Sequence, residues 1–328
     1  MLGVTSPNMV AAIANAGGLG SLPVGGLSPE KVTALIRETK SKTARPFAVN
    51  LFAHEMETVD NDSVERMQDF LEGLYNQHQI PFERRNVTDF TFHHYTDQLE
   101  VLLAERIPVI SFTFGVLQPA VIEQFKRNGS VLIGTATSVK EARLLEEAGV
   151  DLVVAQGVEA GGHRGTFLND EGLPQVGLLS LVLQVVDAVS IPVIAAGGIA
   201  DERAIRATFV LGASGVQIGS LFIPCDESLA SESYKAAVLA SRDTATALTQ
   251  AFTGRWARGI KNGLMKQIEE SGLKIPYYTF HNSLTAPLRT YAQQHNLPDL
   301  ASMWAGQSAG YARRGSATEL FKRLAEQV

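Results

Sequence analysis

The ten residues Gln156-Gly157-Val158-Glu159-Ala160-Gly161-Gly162-His163-Arg164-Gly165 combine the side chains and the backbone freedom that chemistry needs. The stretch follows an apolar run at 151–155, so it reads as a loop at the C-terminal end of a strand. Its glycines let backbone approach a ligand closely. Gln156 can donate to and accept from a polar ring edge. His163 sits among four glycines, and imidazole is the usual general acid or base near neutral pH. The bland alternative is a loop histidine bonded to backbone; the setting favours a functional group.

Two more segments have the composition of phosphate cradles. Ala195-Ala196-Gly197-Gly198-Ile199 ends one strand and opens a helix near Asp201, and Gln217-Ile218-Gly219-Ser220 ends the next strand. Backbone N–H groups in such turns bind phosphate. Either segment alone is weak, but their placement on consecutive strands is specific. Asn50 closes the run 47–49 and could donate and accept at the same mouth, although a strand-end turn former reads the same way.

Other residues point away from chemistry. Gly17-Gly18-Leu19-Gly20 lies after a helix and before a strand, the reverse of a dinucleotide fingerprint, and reads as a helix cap and tight turn. His54 and the pair His93-His94 have no partner at zinc spacing, so no metal is expected. The single cysteine, Cys225, has no histidine near it in sequence and reads as a packed thiol. No Gly-x-Ser-x-Gly elbow is present.

These loops need a scaffold that brings them together. Candidate strands at 19–23, 47–51, 108–112, 131–135, 151–156, 192–196 and 215–218 alternate with candidate helices at 28–41, 63–78, 117–128, 139–147, 177–188 and 201–211. Nearly continuous apolar strands suit a parallel sheet covered by helices. Polar and glycine residues at one strand end after another favour a closed barrel over an open doubly wound sheet, because only closure gathers all those ends on one face. The expected fold is therefore α/β, a (β/α)8 TIM barrel with a smaller, mainly helical substrate domain. The barrel occupies 1–225, a helical cap 226–307, and a C-terminal segment 308–328 carries a helix at 318–326 that returns to the barrel.

Only seven strands are legible. The chain opens with a helix at 7–16, capped by Ser6 with Pro7 in its first turn. A barrel's first strand, about ten residues, would precede that helix. The expectation is a start codon placed too late or a missing leading strand.

The composition, 45% hydrophobic and 19% charged, supplies a large core and excludes disorder. A net charge of −6 gives no reason to expect nucleic acid or an anionic membrane as partner. No signal peptide or membrane span is legible, which makes the cytoplasm the expected location.

The motifs together resemble the nitronate monooxygenases, formerly 2-nitropropane dioxygenases. The resemblance rests on Gly3-Val4-Thr5-Ser6-Pro7 with the 15–20 stretch, Ser111-Phe112-Thr113-Phe114-Gly115, Gly134-Thr135-Ala136-Thr137-Ser138, the 156–165 loop and the 195–199 turn. It continues through 255–259 with Asn262 and Trp304-Ala305-Gly306-Gln307, so it spans essentially the whole chain. It implies an FMN-containing barrel with flavin contacts at Asn50, Gln156, Gly161, Gly198, Gln217, Ile218, Gly219 and Ser220. It also implies a catalytic role for His163, which would bond the anionic nitro group or remove the α-proton of a neutral nitroalkane. The implied reaction is oxidation of an alkyl nitronate such as propionate 3-nitronate with O2, giving a carbonyl product and nitrite, a detoxification. Trp304, with Tyr277 or Tyr311, would close the pocket. The family's first strand ends in a Pro-Met-Ala/Ser-Gly type loop, of which only the tail is present. The partners are small molecules, and a homodimer is the candidate assembly.

The nearest rival is an FMN-dependent enoyl-acyl-carrier reductase, which would need NAD(P)H and an acyl pocket. Gln156, Arg164 and the 304–307 motif favour the nitronate reading. A colourless phosphate-ligand isomerase or synthase barrel is the non-redox rival, and a scaffold protein fits the convergent polar loops least well.

Overall fold

A computed structural model describes residues 1–56, 58–168 and 172–326. The first helix, α1 (Pro7–Asn15), starts where the sequence indicates: Ser6 Oγ accepts from Met9 N at 3.0 Å, and Pro7 needs no partner in the first turn. The glycines that follow make the tight turn into the sheet. Gly17 is left-handed (φ +98°), and a Cβ at Gly20 would lie 2.3 Å from the Val10 carbonyl oxygen.

The chain then alternates: β1 (Ser21–Pro23), α2 (Pro29–Lys42), β2 (Ala48–Phe52), α3 (Asn61–Gln77), α4 (Leu99–Ala104), β3 (Val109–Thr113), α5 (Pro119–Arg127), β4 (Val131–Ala136), α6 (Val139–Ala148) and β5 (Leu152–Gln156). After a short β6 (Gly162–His163) come α7 (Leu178–Val186), β7 (Val193–Ala196), α8 (Glu202–Val210) and β8 (Gly215–Gln217). Seven strands form one parallel sheet in the order β1-β2-β3-β4-β5-β7-β8, and all seven are those read from the sequence. Among the described residues, β1 and β8 are its two edges.

Side chains alternate across each strand. Val49, Leu51, Ile110, Phe112, Leu132, Val153 and Ala195 face the helices in the main core. Ile133, Val154 and Ala196, with Ile194 and Leu152, form a separate cluster on the inner face. Both faces are apolar, which is why the strands read as continuous hydrophobic runs. The register sets Gln156 opposite Ala196 and Ala196 opposite Gln217, so the ends of β5, β7 and β8 open side by side.

Beyond β8 the chain forms α9 (Glu232–Leu239), β9 (Thr246–Thr249), β10 (Ala257–Ile260), α10 (Gly263–Glu270), α11 (Tyr278–Gln294) and α12 (Ala317–Ala325). The sequence suggests helices and loops here, and the structure adds a three-stranded antiparallel sheet, β6-β10-β9. The Arg258-Gly259 pair inside β10 disguises it, because glycine and a long cation weaken a strand signature. This sheet pairs Ala257 with His163, which ties the 226–307 segment directly to the loop after β5. Ala317 and Leu320 of α12 pack with Met9 of α1 and with Cys225.

Candidate active site

The loop after β5 is held rigid by its own polar groups. Arg164 is fully buried and acts as its centre. Nη1 donates to Gln156 Oε1 (3.0 Å) and the Gly157 carbonyl (2.6 Å), and Nη2 donates to the Gln156 carbonyl (3.1 Å). Gln156 Oε1 also accepts from Gly165 N (2.9 Å), while Gln156 Nε2 donates to the His163 carbonyl (3.1 Å). Both ends of the Gln156 amide are thus engaged by the loop, leaving one N–H for anything else. Glu141, fully buried at the start of α6, holds the continuation of the loop. It accepts from Thr137 N and Oγ1, Thr166 Oγ1, Phe167 N and Leu168 N. Such multiple donors are what a buried carboxylate requires.

His163 projects from this loop into an aromatic box. Its Nε2 lies 2.8 Å from Thr253 Oγ1, and its ring centroid is 5.6 Å from Phe114, 5.7 Å from Tyr278 and 5.2 Å from Trp304. Phe114 holds φ at +78°, a costly backbone for an aromatic residue and one that clusters at functional sites. The Arg255 guanidinium stacks 4.1 Å over the Phe114 ring and also donates to the Thr166 carbonyl. Burial, reinforced by the charges of Arg255 and Arg289, pulls the His163 imidazole down to about 3. It is therefore neutral at physiological pH. Burial pushes the Tyr278 phenol up to about 12, so it stays protonated.

Beside the box lies a cleft lined by Gln156, Gly161, the Gly197-Gly198 turn and the 217–220 turn. Gly197 and Gly198 are left-handed (φ +119° and +69°), which strains any side chain there. A Cβ on Gly219 would meet nothing within 4 Å, whereas one on Gly161 would lie 2.4 Å from Gly306 N. The first glycine faces open space, and the second lets two backbones touch. The C-terminal segment closes the cleft's rim: Gly306 N donates to Ser220 Oγ (2.9 Å), and Ser308 Oγ donates to the Gly198 carbonyl (2.8 Å).

Gln156, Gly161, Gly198, Gln217, Ile218, Gly219 and Ser220 line one cleft, and Gln156 Nε2, which donates to the His163 carbonyl, ties His163 to its edge. Asn50 lies on β2, with its amide donating to Ser111 Oγ (3.0 Å). Trp304 and Tyr278 both flank the His163 ring. Tyr277 instead donates to the Glu55 carbonyl, and Tyr311 is 58% exposed. The start of α11 turns the neighbouring Tyr277 and Tyr278 side chains to different sides. Thr253 and Phe114 carried no signal of this role. Cys225 is buried and its thiol is pushed up to about 12, so it is inert. His94 bonds Thr96 Oγ1 and the His54 carbonyl. No cluster of three metal-ligating side chains occurs among the described residues.

A parallel strand–helix barrel carrying a glycine-lined cleft and a neutral histidine at its strand ends defines an enzyme of the α/β barrel class. The model of the nitronate monooxygenase family matches residues 1–327, and the chain belongs to that family of oxidoreductases. It is 40% identical over 330 residues to a probable nitronate monooxygenase of Staphylococcus haemolyticus (strain JCSC1435), covering all of this chain and 92% of that protein. A probable nitronate monooxygenase of Staphylococcus aureus (strain N315) is 38% identical over 329 residues, with the same coverage. Among solved structures, nitroalkane oxidase from Streptomyces ansochromogenes superposes with a TM-score of 0.91 at 37% identity, covering 99% of this chain and 92% of that one. FabK from Thermotoga maritima gives 0.76 at 27% identity, covering all of this chain and 90% of that one. No described helix is long and apolar enough to cross a membrane.

Proposed function

We propose that the protein oxidises short alkyl nitronates with O2, using FMN bound across the barrel mouth. The observation that carries this reading is the Gln156 amide, which lines the cleft of the two glycine turns and donates to the His163 carbonyl. The residues fit an FMN phosphate. Turns with left-handed glycines at 197–198 and open space over Gly219 leave N–H groups free of side-chain cover, as an anion cradle requires. The phosphate is assigned to Gly198, Gly219 and Ser220, flanked by Gln217, Ile218 and Gly161, and the ring edge to the remaining N–H of Gln156 and to Asn50. When bound, the flavin supplies the redox chemistry; the protein supplies orientation, electrostatics and exclusion of water.

His163 meets the substrate in this reading. An imidazole this weakly basic is better suited to hydrogen-bond an anion that is already deprotonated than to remove a proton from carbon. That favours the preformed nitronate over the neutral nitroalkane. Arg255 adds positive charge to the box, and Phe114, Tyr278 and Trp304 dry it, which strengthens the interaction with an anion.

Anaerobic mixing tests the reading against the reductase alternative. Propionate 3-nitronate should bleach the flavin within the turnover time, and NADPH should not. The reverse result assigns the site to an NADPH-dependent reductase.

A further inference from the structure

Thr253 lies in the segment between β9 and β10, is 2% exposed, and places its hydroxyl oxygen 2.8 Å from His163 Nε2. Two backbone groups fix the setting of that hydroxyl. The Arg255 amide, whose hydrogen is held in the peptide plane, donates to Thr253 Oγ1 (3.4 Å) and occupies a lone pair. The hydroxyl proton then has two acceptors in reach, His163 Nε2 at 2.8 Å and the Arg255 carbonyl at 3.3 Å. Hydroxyl hydrogen bonds cluster near about 2.8 Å, so the imidazole is the better acceptor. The β6–β10 pairing, with Ala257 opposite His163, holds the two chain segments at this separation.

The other ring nitrogen decides which way the contact is polarised. A neutral imidazole carries one N–H and one lone pair. Nδ1 has no hydrogen-bond partner among the described residues, yet it is not sealed off as both His54 nitrogens are. The charged groups acting on His163 are Arg255 and Arg289, both cations. An Nδ1–H in that positive field can donate to an anion, whereas an Nδ1 lone pair would repel one.

We propose that Thr253 is a positioning residue: its hydroxyl donates to His163 Nε2, holds the imidazole in the tautomer protonated at Nδ1, and so presents that N–H to the anionic substrate. The target of the N–H rests on the nitronate reading above; the tautomer does not.

Nitrogen NMR of enzyme carrying isotope-labelled histidine reads the tautomer, with the His163 signals assigned by their loss in His163→Phe. The wild-type enzyme should show a protonated Nδ1 and an Nε2 that accepts a hydrogen bond. Thr253→Val keeps the shape and removes the hydroxyl. It should move the proton toward Nε2 and lower kcat/KM for ethyl nitronate by about tenfold, the usual size of a lost hydrogen bond to a charged group. Thr253→Ser keeps the hydroxyl and should restore both tautomer and rate. A wild-type His163 protonated at Nε2 overturns the proposal, a result that needs no variant to fold. So does a Thr253→Val enzyme in which either the tautomer or the rate is unchanged. A merely structural role would damage Thr253→Ser, which loses the methyl group, more than Thr253→Val, and that order also overturns it. A wild-type enzyme inactive on ethyl nitronate overturns the nitronate reading, while the NMR still decides the tautomer.

Discussion

His163 Nε2 and Thr253 Oγ1 lie 2.8 Å apart although 90 residues separate them in the chain. The contact joins the loop after β5 to the segment between β9 and β10, and the β6–β10 pairing clamps it from the other side. Thr253 Oγ1 also lies 3.3 Å from the Arg255 carbonyl. When the Thr253 hydroxyl donates to His163 Nε2, the neutral imidazole carries its proton on Nδ1, the tautomer that can donate to an anionic ligand.

His163→Phe keeps a ring in the box but removes the hydrogen bond to the anion. kcat/KM for a preformed nitronate should fall by about tenfold or more, the usual size of a lost hydrogen bond to a charged group. Steady-state rates with ethyl nitronate and nitroethane check this, and the wild-type enzyme should turn over the neutral nitroalkane far more slowly than the nitronate. An unchanged rate on ethyl nitronate contradicts an anion-binding imidazole.

Two glycine substitutions should separate fold from cofactor. Gly161→Ala pushes a methyl group to within 2.4 Å of Gly306 N and should cost ~1–3 kcal/mol in thermal unfolding. Gly219→Ala meets no protein atom within 4 Å, so the apoprotein's Tm should hold while the flavin-to-protein absorbance ratio of the purified enzyme drops. Full flavin occupancy in Gly219→Ala would remove the phosphate from that turn.

Arg164→Lys should be more damaging than its chemistry suggests. Lysine cannot span the acceptors on Gln156 and Gly157, and the carbonyls left behind are buried. A loss of ~3 kcal/mol or more in denaturant unfolding is expected, with release of flavin. A near-native midpoint would contradict the central place given to this guanidinium.

Acid should destabilise the fold. Burial holds His54 at about 4, His163 at about 3 and His281 at about 4, all below the ordinary value near 6.5. The unfolded chain takes up protons below pH 6.5 and the folded chain does not. Stability is therefore fully present above pH 6.5 and falls with pH by ~1.4 kcal/mol per unit for each histidine until the folded values are reached. Tm should drop between pH 7 and pH 5, and the drop should be shallower in His281→Gln. A flat Tm over that range contradicts the burial of neutral imidazoles.

The scaffold was legible because its strands are apolar on both faces and end in glycine or polar residues. Residues 156–165, 197–198 and 217–220 announce themselves by composition. The rest of the box is hidden for physical reasons. Thr253 and Tyr278 come from segments whose packing depends on β9 and β10, and β10 is masked by Arg258-Gly259. Phe114 differs from any core phenylalanine only in its φ, which no residue type reveals. The partner of Asn50, Ser111 Oγ on β3, lies 61 residues away and follows from the β2–β3 register rather than from local sequence.

The absorbance spectrum of the purified protein, recorded anaerobically before and after adding propionate 3-nitronate and then after admitting air, tests the central claim most directly. The account predicts oxidised flavin bands that bleach with the nitronate and return with O2. A colourless protein, or flavin bands that the nitronate leaves untouched, would contradict it.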